Sequence, residues 1–268
     1  MNRIRLIASD LDGTLLDERK ALPAGLADTL ARLAERGIAF CPASGRQYQS
    51  IVDLFPGAAA ALPVIAENGA LVMLGGRELA STAITPAALA GLLARLRSLP
   101  AGANERGAVL CGKRSAYALP GRFSDEVRRY YPKLEVVEDL SAVQDEILKL
   151  ALFDAGSAAR EILPHFSVLA LELDLKVVVS GEHWVDVMEA SVNKGAGLRA
   201  VQAALGVRRE ETMVFGDFFN DVEMFAEALH SYAMANALPE VAAHARHRAP
   251  GNGENGVLRV IDGMLEAA

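Results

Sequence analysis

The sequence predicts a parallel α/β core interrupted by an inserted α+β unit, and three observations carry that fold class. Near both ends of the chain, short continuous apolar runs alternate with stretches of helical periodicity, as in a parallel sheet covered on both faces. In the middle the rhythm changes: strand-like runs outnumber helices, and several are joined by turn signals that suit antiparallel pairing. The length, 268 residues, leaves room for more than one domain.

The elements follow in order. Residues 6–8 read as a buried strand with Asp10 at its carboxyl end. Residues 22–36 carry Leu26, Leu30 and Leu33 at helical spacing, and Gly37 closes that helix. Residues 38–41 form a second strand, followed by Ser44-Gly45-Arg46 and by a helix through Ile51 and Leu54 that ends near Pro56-Gly57. Residues 64–66 form a third strand, followed by Glu67-Asn68-Gly69. The middle opens with a helix over 86–99 and continues with strands at 108–110, 116–119, 134–137, 148–153, 168–173, 175–179 and 184–188. Asp174 and Ser180-Gly181-Glu182 read as hairpin turns between the last of these. The first rhythm then returns as a helix over 195–205, a strand at 213–215, a helix through Val222, Met224 and Phe225, a strand at 232–234 and a closing helix over 257–265. The chain thus reads as a core of residues 1–81 and 191–268, with residues 82–190 inserted and both ends of the insert meeting the core close together.

Composition excludes several classes of function. Hydrophobic residues make up 51% and charged residues 23%, a balance that excludes wholesale disorder. A net charge of -7 sets the surface against nucleic acid and acidic membranes, so neither is an expected partner, and an anionic substrate needs a locally positive site. Cys41 and Cys111 stand in no CxxC, which gives no disulfide framework and fits a reducing cytoplasm. No apolar stretch approaches the roughly 18 residues that cross a bilayer, and Asp10 cuts the first apolar run too early for a signal peptide.

Four segments carry chemistry, each at a strand end or a helix start, where ligands bind in open parallel sheets. In Asp10-Leu11-Asp12-Gly13-Thr14 the first carboxylate is a competent nucleophile toward phosphorus, and the second can exchange protons as general acid and base. Ser44-Gly45-Arg46 offers a hydroxyl and backbone N–H groups to a phosphate oxygen. Asn193-Lys194-Gly195 puts a lysine at a helix N-terminus, where the dipole favours anions, so the lysine needs an acidic or phosphate partner. Asp217 and Asp221, one helical turn apart and flanking Asn220, can hold Mg²⁺. Taken singly, each admits a plainer role: an Asx-turn for the first, an N-cap for Ser44, an exposed lysine for Lys194, a helix cap for either acid of the last. Together they are the parts for magnesium-assisted phosphoryl transfer.

In these motifs the sequence resembles the haloacid dehalogenase-like superfamily, in particular its Cof-like phosphatases with a large α/β cap. The four segments match that family's four motifs in order, and the resemblance spans the chain. Glu67-Asn68-Gly69-Ala70, Met234-Ala235-Asn236-Ala237 and Asn255-Gly256-Val257 look like further landmarks, although the family usually has glycine at position 235 and a small or polar residue at position 218, here Phe218. The resemblance implies a Rossmannoid core with residues 82–190 as the cap that sets substrate specificity. It implies a phosphoric monoester hydrolase in which Asp10 attacks phosphorus, while Asp12 protonates the leaving oxygen and then deprotonates water. Mg²⁺ is implied between the Asp10 carboxylate, the Asp12 backbone carbonyl and Asp217. Leu11, Ser44, Gly45, Arg46, Lys194 and Asn220 are implied to meet the phosphate, Thr14 to steer Asp12, and Asp221 to hold Lys194 or a water on the metal. The expected substrate is a small phosphorylated metabolite, with sugar phosphates as the family-level expectation, and the expected state is a cytoplasmic monomer or weak homodimer. Two alternatives share this chemistry: a phosphomannomutase-like phosphomutase, and a signalling module phosphorylated on aspartate. The second has no use for an acid/base at Asp12 or for an inserted cap.

Some signals are set aside. Gly251 to Gly256 satisfies GxGxxG but follows no apolar strand and reads as a surface turn. His244 and His247 read as a solvated helix face, and Trp184 with Val177, Val178 and Val179 as sheet core.

Overall fold

The structure, a computed structural model, describes residues 3–57, 61–100, 103–128 and 130–267. The chain runs β1 (Leu6–Ser9), α1 (Leu26–Glu35), β2 (Ala39–Pro42), α2 (Tyr48–Val52), β3 (Pro63–Ala66), β4 (Leu71–Leu74) and β5 (Arg77–Ser81). It continues through α3 (Pro86–Arg97), β6 (Arg106–Gly112), β7 (Ala116–Ala118), α4 (Arg122–Val127), β8 (Leu134–Val136), β9 (Ile147–Asp154), α5 (Ala158–Glu161), α6 (Leu163–Glu172), β10 (Leu175–Gly181) and β11 (Trp184–Glu189). It closes with α7 (Lys194–Leu205), β12 (Thr212–Gly216), α8 (Val222–Ala226), β13 (His230–Met234), α9 (Pro239–Ala242), β14 (His247–Ala249) and α10 (Gly256–Ala267). Two compact units emerge: Met1–Ala80 with Asn193–Ala268, and Ser81–Val192.

The first unit is built on a parallel sheet in the order β14-β13-β12-β1-β2. β1 and β12 are buried along their whole length, because helices cover both faces and leave no side on which a polar residue would be tolerated. The strand order reverses at β1, so the crevice beyond its carboxyl end is where an open sheet of this kind binds ligands. β3 continues this edge through a parallel bridge from Ile65 to Ala43, then pairs antiparallel with β4 in a small sheet of β3, β4 and β5. The β4–β5 hairpin was not anticipated, although Gly75-Gly76 between two strand-like runs is a turn signal.

The second unit is a six-stranded sheet in the order β10-β11-β9-β6-β7-β8, antiparallel except for the β7–β8 pair. Alternation along the strands sends Leu110, Leu150, Leu152, Val185 and Val187 into one cluster with Leu92 of α3 and Phe166 of α6. Their neighbours Val109, Cys111 and Ala151 join a separate cluster with Val127 and Tyr131.

Four local readings need correction. Residues 168–173 are the end of helix α6, not a strand, and Asp174, at φ +56, follows the helix instead of turning a hairpin. Apolar residues stand on its solvent side as well, with Val168 64% and Leu171 80% exposed, which blurs the helical period. Helix α1 begins at Leu26, not residue 22, because Pro23 and a left-handed Gly25 hold the preceding residues in a turn. His247 lies on the edge strand β14, its ring 4.9 Å from that of Tyr232, rather than on a helix with His244. Val177 to Val179 are only partly covered because β10 is an edge strand, and Trp184 beside it is likewise half-buried. Both cysteines are buried thiols outside any disulfide. Among the described residues no helix is long and apolar enough to cross a membrane.

Candidate active site

Asp10 follows β1 directly, and its N–H still reaches the Phe215 carbonyl of β12 at 3.0 Å. The last ladder bond therefore sets the carboxylate at the crevice. Gly13 lets the chain turn back: its φ is +84, and a Cβ there would stand 2.3 Å from Asp217 Oδ2. Only glycine allows the first and fourth motifs to come this close. Thr14 Oγ1 donates to Asp217 Oδ1 at 2.9 Å, so Thr14 orients Asp217 and not Asp12 as expected. The reason is register: the turn at Gly13 aims residue 14 across the crevice, toward the loop after β12.

Lys194 opens helix α7, whose N-cap Asn193 accepts the Ala196 N–H at 2.7 Å. Its side chain is fully buried and donates to Asp10 Oδ1 at 2.5 Å and to Asp221 Oδ1 at 2.7 Å. Asp221 spends its other oxygen on the backbone N–H groups of Asp217 and Phe218, at 2.9 and 3.1 Å. It thus closes the loop that carries Asp217 while anchoring the lysine. Carboxylate oxygens of Asp10, Asp217 and Asp221 lie within 4.8 Å of one another. Asp12 sends its carboxylate out of this group, accepting Arg46 Nε and Nη2 at 2.7 and 2.6 Å and Lys20 Nζ at 2.8 Å.

Electrostatics follow from this crowding. Burial pushes the Asp10 carboxyl up to about 8; Lys194 opposes the rise, and Asp221 and Asp217 add to it. Burial likewise lifts Asp217 to about 6 against the Thr14 hydrogen bond. Burial would discharge Lys194, but Asp10 and Asp221 outweigh it and hold the ammonium above its ordinary value. Burial also works against charge on Asp12, yet Arg46 and Lys20 prevail and keep that carboxyl below its usual range.

The residues expected to meet a phosphate are placed as follows. Ser44 is buried, with its N–H on the Ile65 carbonyl at 2.9 Å and its Oγ accepting the Arg46 N–H at 3.2 Å. Asn220 donates to Asn68 Oδ1 at 3.0 Å. Leu11 is fully buried, and its carbonyl accepts the Leu16 N–H at 2.8 Å. Phe218 and Phe219 stand half-exposed in an edge-on pair with centroids 5.5 Å apart.

Several functional neighbours escaped the sequence reading. Lys20 looked like any loop lysine. Asn236 and Asn252 brace the first motif by donating to the Gly13 and Leu16 carbonyls at 2.8 and 3.0 Å, so the Gly251 to Gly256 turn is a support as well as a surface feature. The asparagines after β13 and in the last turn were visible, but nothing in their spacing named that target.

The donor set fits a magnesium ion. Once all three carboxylates are ionised against the one lysine, two negative charges are in excess, the charge of a divalent cation, and every donor is a hard oxygen.

Comparison with known proteins agrees with this geometry. A model of the haloacid dehalogenase-like hydrolase family matches residues 7–261. The chain is 33% identical to the 5-amino-6-(5-phospho-D-ribitylamino)uracil phosphatase YbjI of Escherichia coli, covering 98% of this chain and 97% of that one. It is 27% identical to the HMP-PP phosphatase of Shigella flexneri, over 91% and 88% of the two chains. Among solved structures, SMU.1108c from Streptococcus mutans superposes with a TM-score of 0.86 at 28% identity, covering 98% and 99%.

Proposed function

The chain belongs to the haloacid dehalogenase-like hydrolases, in their Cof-like branch, and from that premise we propose a magnesium-dependent phosphatase working through an aspartyl-phosphate on Asp10. The observation that carries the reading is the buried triad of Lys194, Asp10 and Asp221 with Asp217 beside it. Such a surplus of enclosed negative charge needs a cation and suits an anionic group held across it.

The oxygen of Asp10 not held by Lys194 attacks phosphorus in line, forming the Asp10–phosphorus bond as the ester bond breaks. Asp12 gives its proton to the leaving oxygen, then takes one from the water that hydrolyses the phospho-aspartate and restores Asp10. Arg46 and Lys20 hold Asp12 ionised and turned away. Engagement of Arg46 by the phosphate frees Asp12, which then takes up a proton from solvent and carries it to the leaving oxygen. Ser44, the Gly45 N–H, the Leu11 backbone and Asn220 hold the phosphoryl oxygens, and Lys194 offsets charge on Asp10 and on the phosphoryl group. Asp10, Asp217 and the Asp12 backbone carbonyl, with Asp221 in reach, would hold Mg²⁺, which would supply charge neutralisation for the transferring group.

The substrate class is a primary phosphate on a small metabolite. A polyol or sugar phosphate is the preferred member, in keeping with the phospho-ribityl substrate in the name of the Escherichia coli relative. Residues 82–190 act as the cap that selects the leaving group, in a cytoplasmic enzyme.

Phosphate release across a panel of sugar, polyol and nucleotide phosphates tests this reading. Turnover of several esters by the wild type, and loss of roughly four orders of magnitude or more in Asp10→Asn, are expected. Normal hydrolysis by Asp10→Asn would contradict the mechanism. Transfer of phosphate between sugar positions, without release, would identify a mutase instead.

A further inference from the structure

The turn at residues 67–69 has the most unusual backbone in the first unit. Glu67, Asn68 and Gly69 have φ of +48, +57 and +99, three successive residues in the left-handed region. Side chains rarely adopt that conformation, and strain of this kind persists only where the surroundings over-determine it, commonly at functional sites.

The surroundings here are the motif loops. Glu67 donates its N–H to the Arg46 carbonyl at 3.1 Å, and Asn68 donates its N–H to the Ser44 carbonyl at 3.0 Å. A Cβ on Gly69 would stand 2.2 Å from the Asn193 carbonyl oxygen, so the turn lies hard against the residue that caps the Lys194 helix. The Asn68 amide packs on Gly45, where a Cβ would meet both Oδ1 and Nδ2 at 3.0 Å. Its Oδ1 accepts the Asn220 amide at 3.0 Å. One strained turn thus touches the second, third and fourth motifs at once, and asparagine is the side chain that tolerates the left-handed backbone while presenting an amide to both sides.

We propose that Asn68 is a positioning residue for the phosphoryl group, fixing the Ser44-Gly45 backbone and the Asn220 amide in one register so that their donors converge on a single anion. The inference rests on the phosphatase reading above. Asn68 acts through its neighbours and takes no part in bond making. Removing its side chain loosens anion binding before it slows the chemistry.

The test is a double-variant cycle on the full chain, read by KM and kcat for p-nitrophenyl phosphate and by inhibition with orthovanadate. Asn68→Gly keeps the left-handed turn and deletes the amide. It should raise KM and the vanadate inhibition constant roughly tenfold, the loss of one hydrogen bond to a charged group, with a smaller change in kcat. Asn220→Ala should do the same, and the double variant should be no worse than either single one, because the two act as a unit. Asn68→Asp is the second variant. It keeps the shape and the acceptor for Asn220, but sets a negative charge beside the anion, and should also raise KM. Multiplying effects in the Asn68→Gly/Asn220→Ala protein, or unchanged KM and vanadate inhibition in Asn68→Gly and Asn68→Asp, would overturn the proposal. A wild type that releases no phosphate from any ester would overturn the phosphatase reading, and this proposal with it.

Discussion

Each unit of the chain buries a lysine against acid, and the two burials differ in kind. In the first unit Lys194 is fully enclosed between Asp10 and Asp221, with Asp217 near enough to share an ion with both. In the second, Lys149 on β9 and Asp186 on β11 stand 3.4 Å apart on neighbouring strands, with 4% and 7% of their side chains exposed. The first arrangement has more acid than base and sits on loops at strand ends. The second sets Lys149 against Asp186 inside a sheet ladder. An acid surplus calls for a ligand, and burial, reinforced by Asp221 and Asp217 and opposed by Lys194, lifts the Asp10 carboxyl to about 8. Burial and acid surplus act together on Asp10.

The widest separation between the two should come from removing divalent metal. Excess EDTA is expected to abolish phosphate release and Mg²⁺ to restore it, while Ca²⁺ inhibits, since its looser coordination spoils in-line alignment. Steady-state rates in chelator check this. Full activity there would remove the role of the acid surplus. Lys194→Met comes next, with an expected fall in kcat of about 10²–10³-fold from the lost charge stabilisation. Lys149→Met should instead destabilise the second unit by about 3–5 kcal/mol, because Asp186 is left buried without its ion-pair partner. Activity toward p-nitrophenyl phosphate, measured below the unfolding transition, should stay near that of the parent. Replacing both Lys149 and Asp186 with apolar residues should recover most of that stability, but no such compensation exists for Lys194→Met with Asp221→Leu, whose kcat stays low. Denaturant titrations beside kinetics separate these outcomes.

The smallest effect concerns Asp154, the fully buried partner of Arg106 at 2.7 Å in the second unit. Burial opposes its charge, but the Arg106 guanidinium, the Gly156 N–H and the Asn104 amide prevail and hold the carboxyl below its ordinary value of 3.8. The folded protein therefore binds this proton more weakly than the unfolded chain. The resulting stability is present above the ordinary value and is lost as pH falls through the lower folded one. Thermal melts through that acid range should show a shallower loss for Asp154→Asn than for the parent. Equal slopes would show that Asp154 carries none of the acid sensitivity.

Much of this arrangement was legible in the amino-acid order, for physical reasons. Asp10, Lys194, Asp217 and Asp221 follow strands or start helices, and a parallel sheet gathers such positions at one edge wherever they lie in the chain. Asn68 was legible only as part of a familiar tetrapeptide, because its importance lies in a left-handed backbone that composition does not reveal. Thr14 was aimed at the wrong acid, since residues two apart in sequence looked like neighbours while the turn at Gly13 sent the hydroxyl to Asp217. Helix α6 is hidden for another reason: exposed Val168 and Leu171 put apolar residues on its solvent side and blur the period.

In the proposed mechanism Asp10 carries the phosphoryl group during turnover. Rapid quenching of the enzyme with substrate, reduction by borohydride and peptide mass spectrometry test it directly, because reduction of an acyl phosphate converts the aspartate to homoserine. Homoserine at position 10, formed only with substrate and absent from Asp10→Asn, is the expected result. A quenched enzyme turning over substrate but bearing its modification at another residue, or none under conditions that trap an acyl phosphate, would contradict the account.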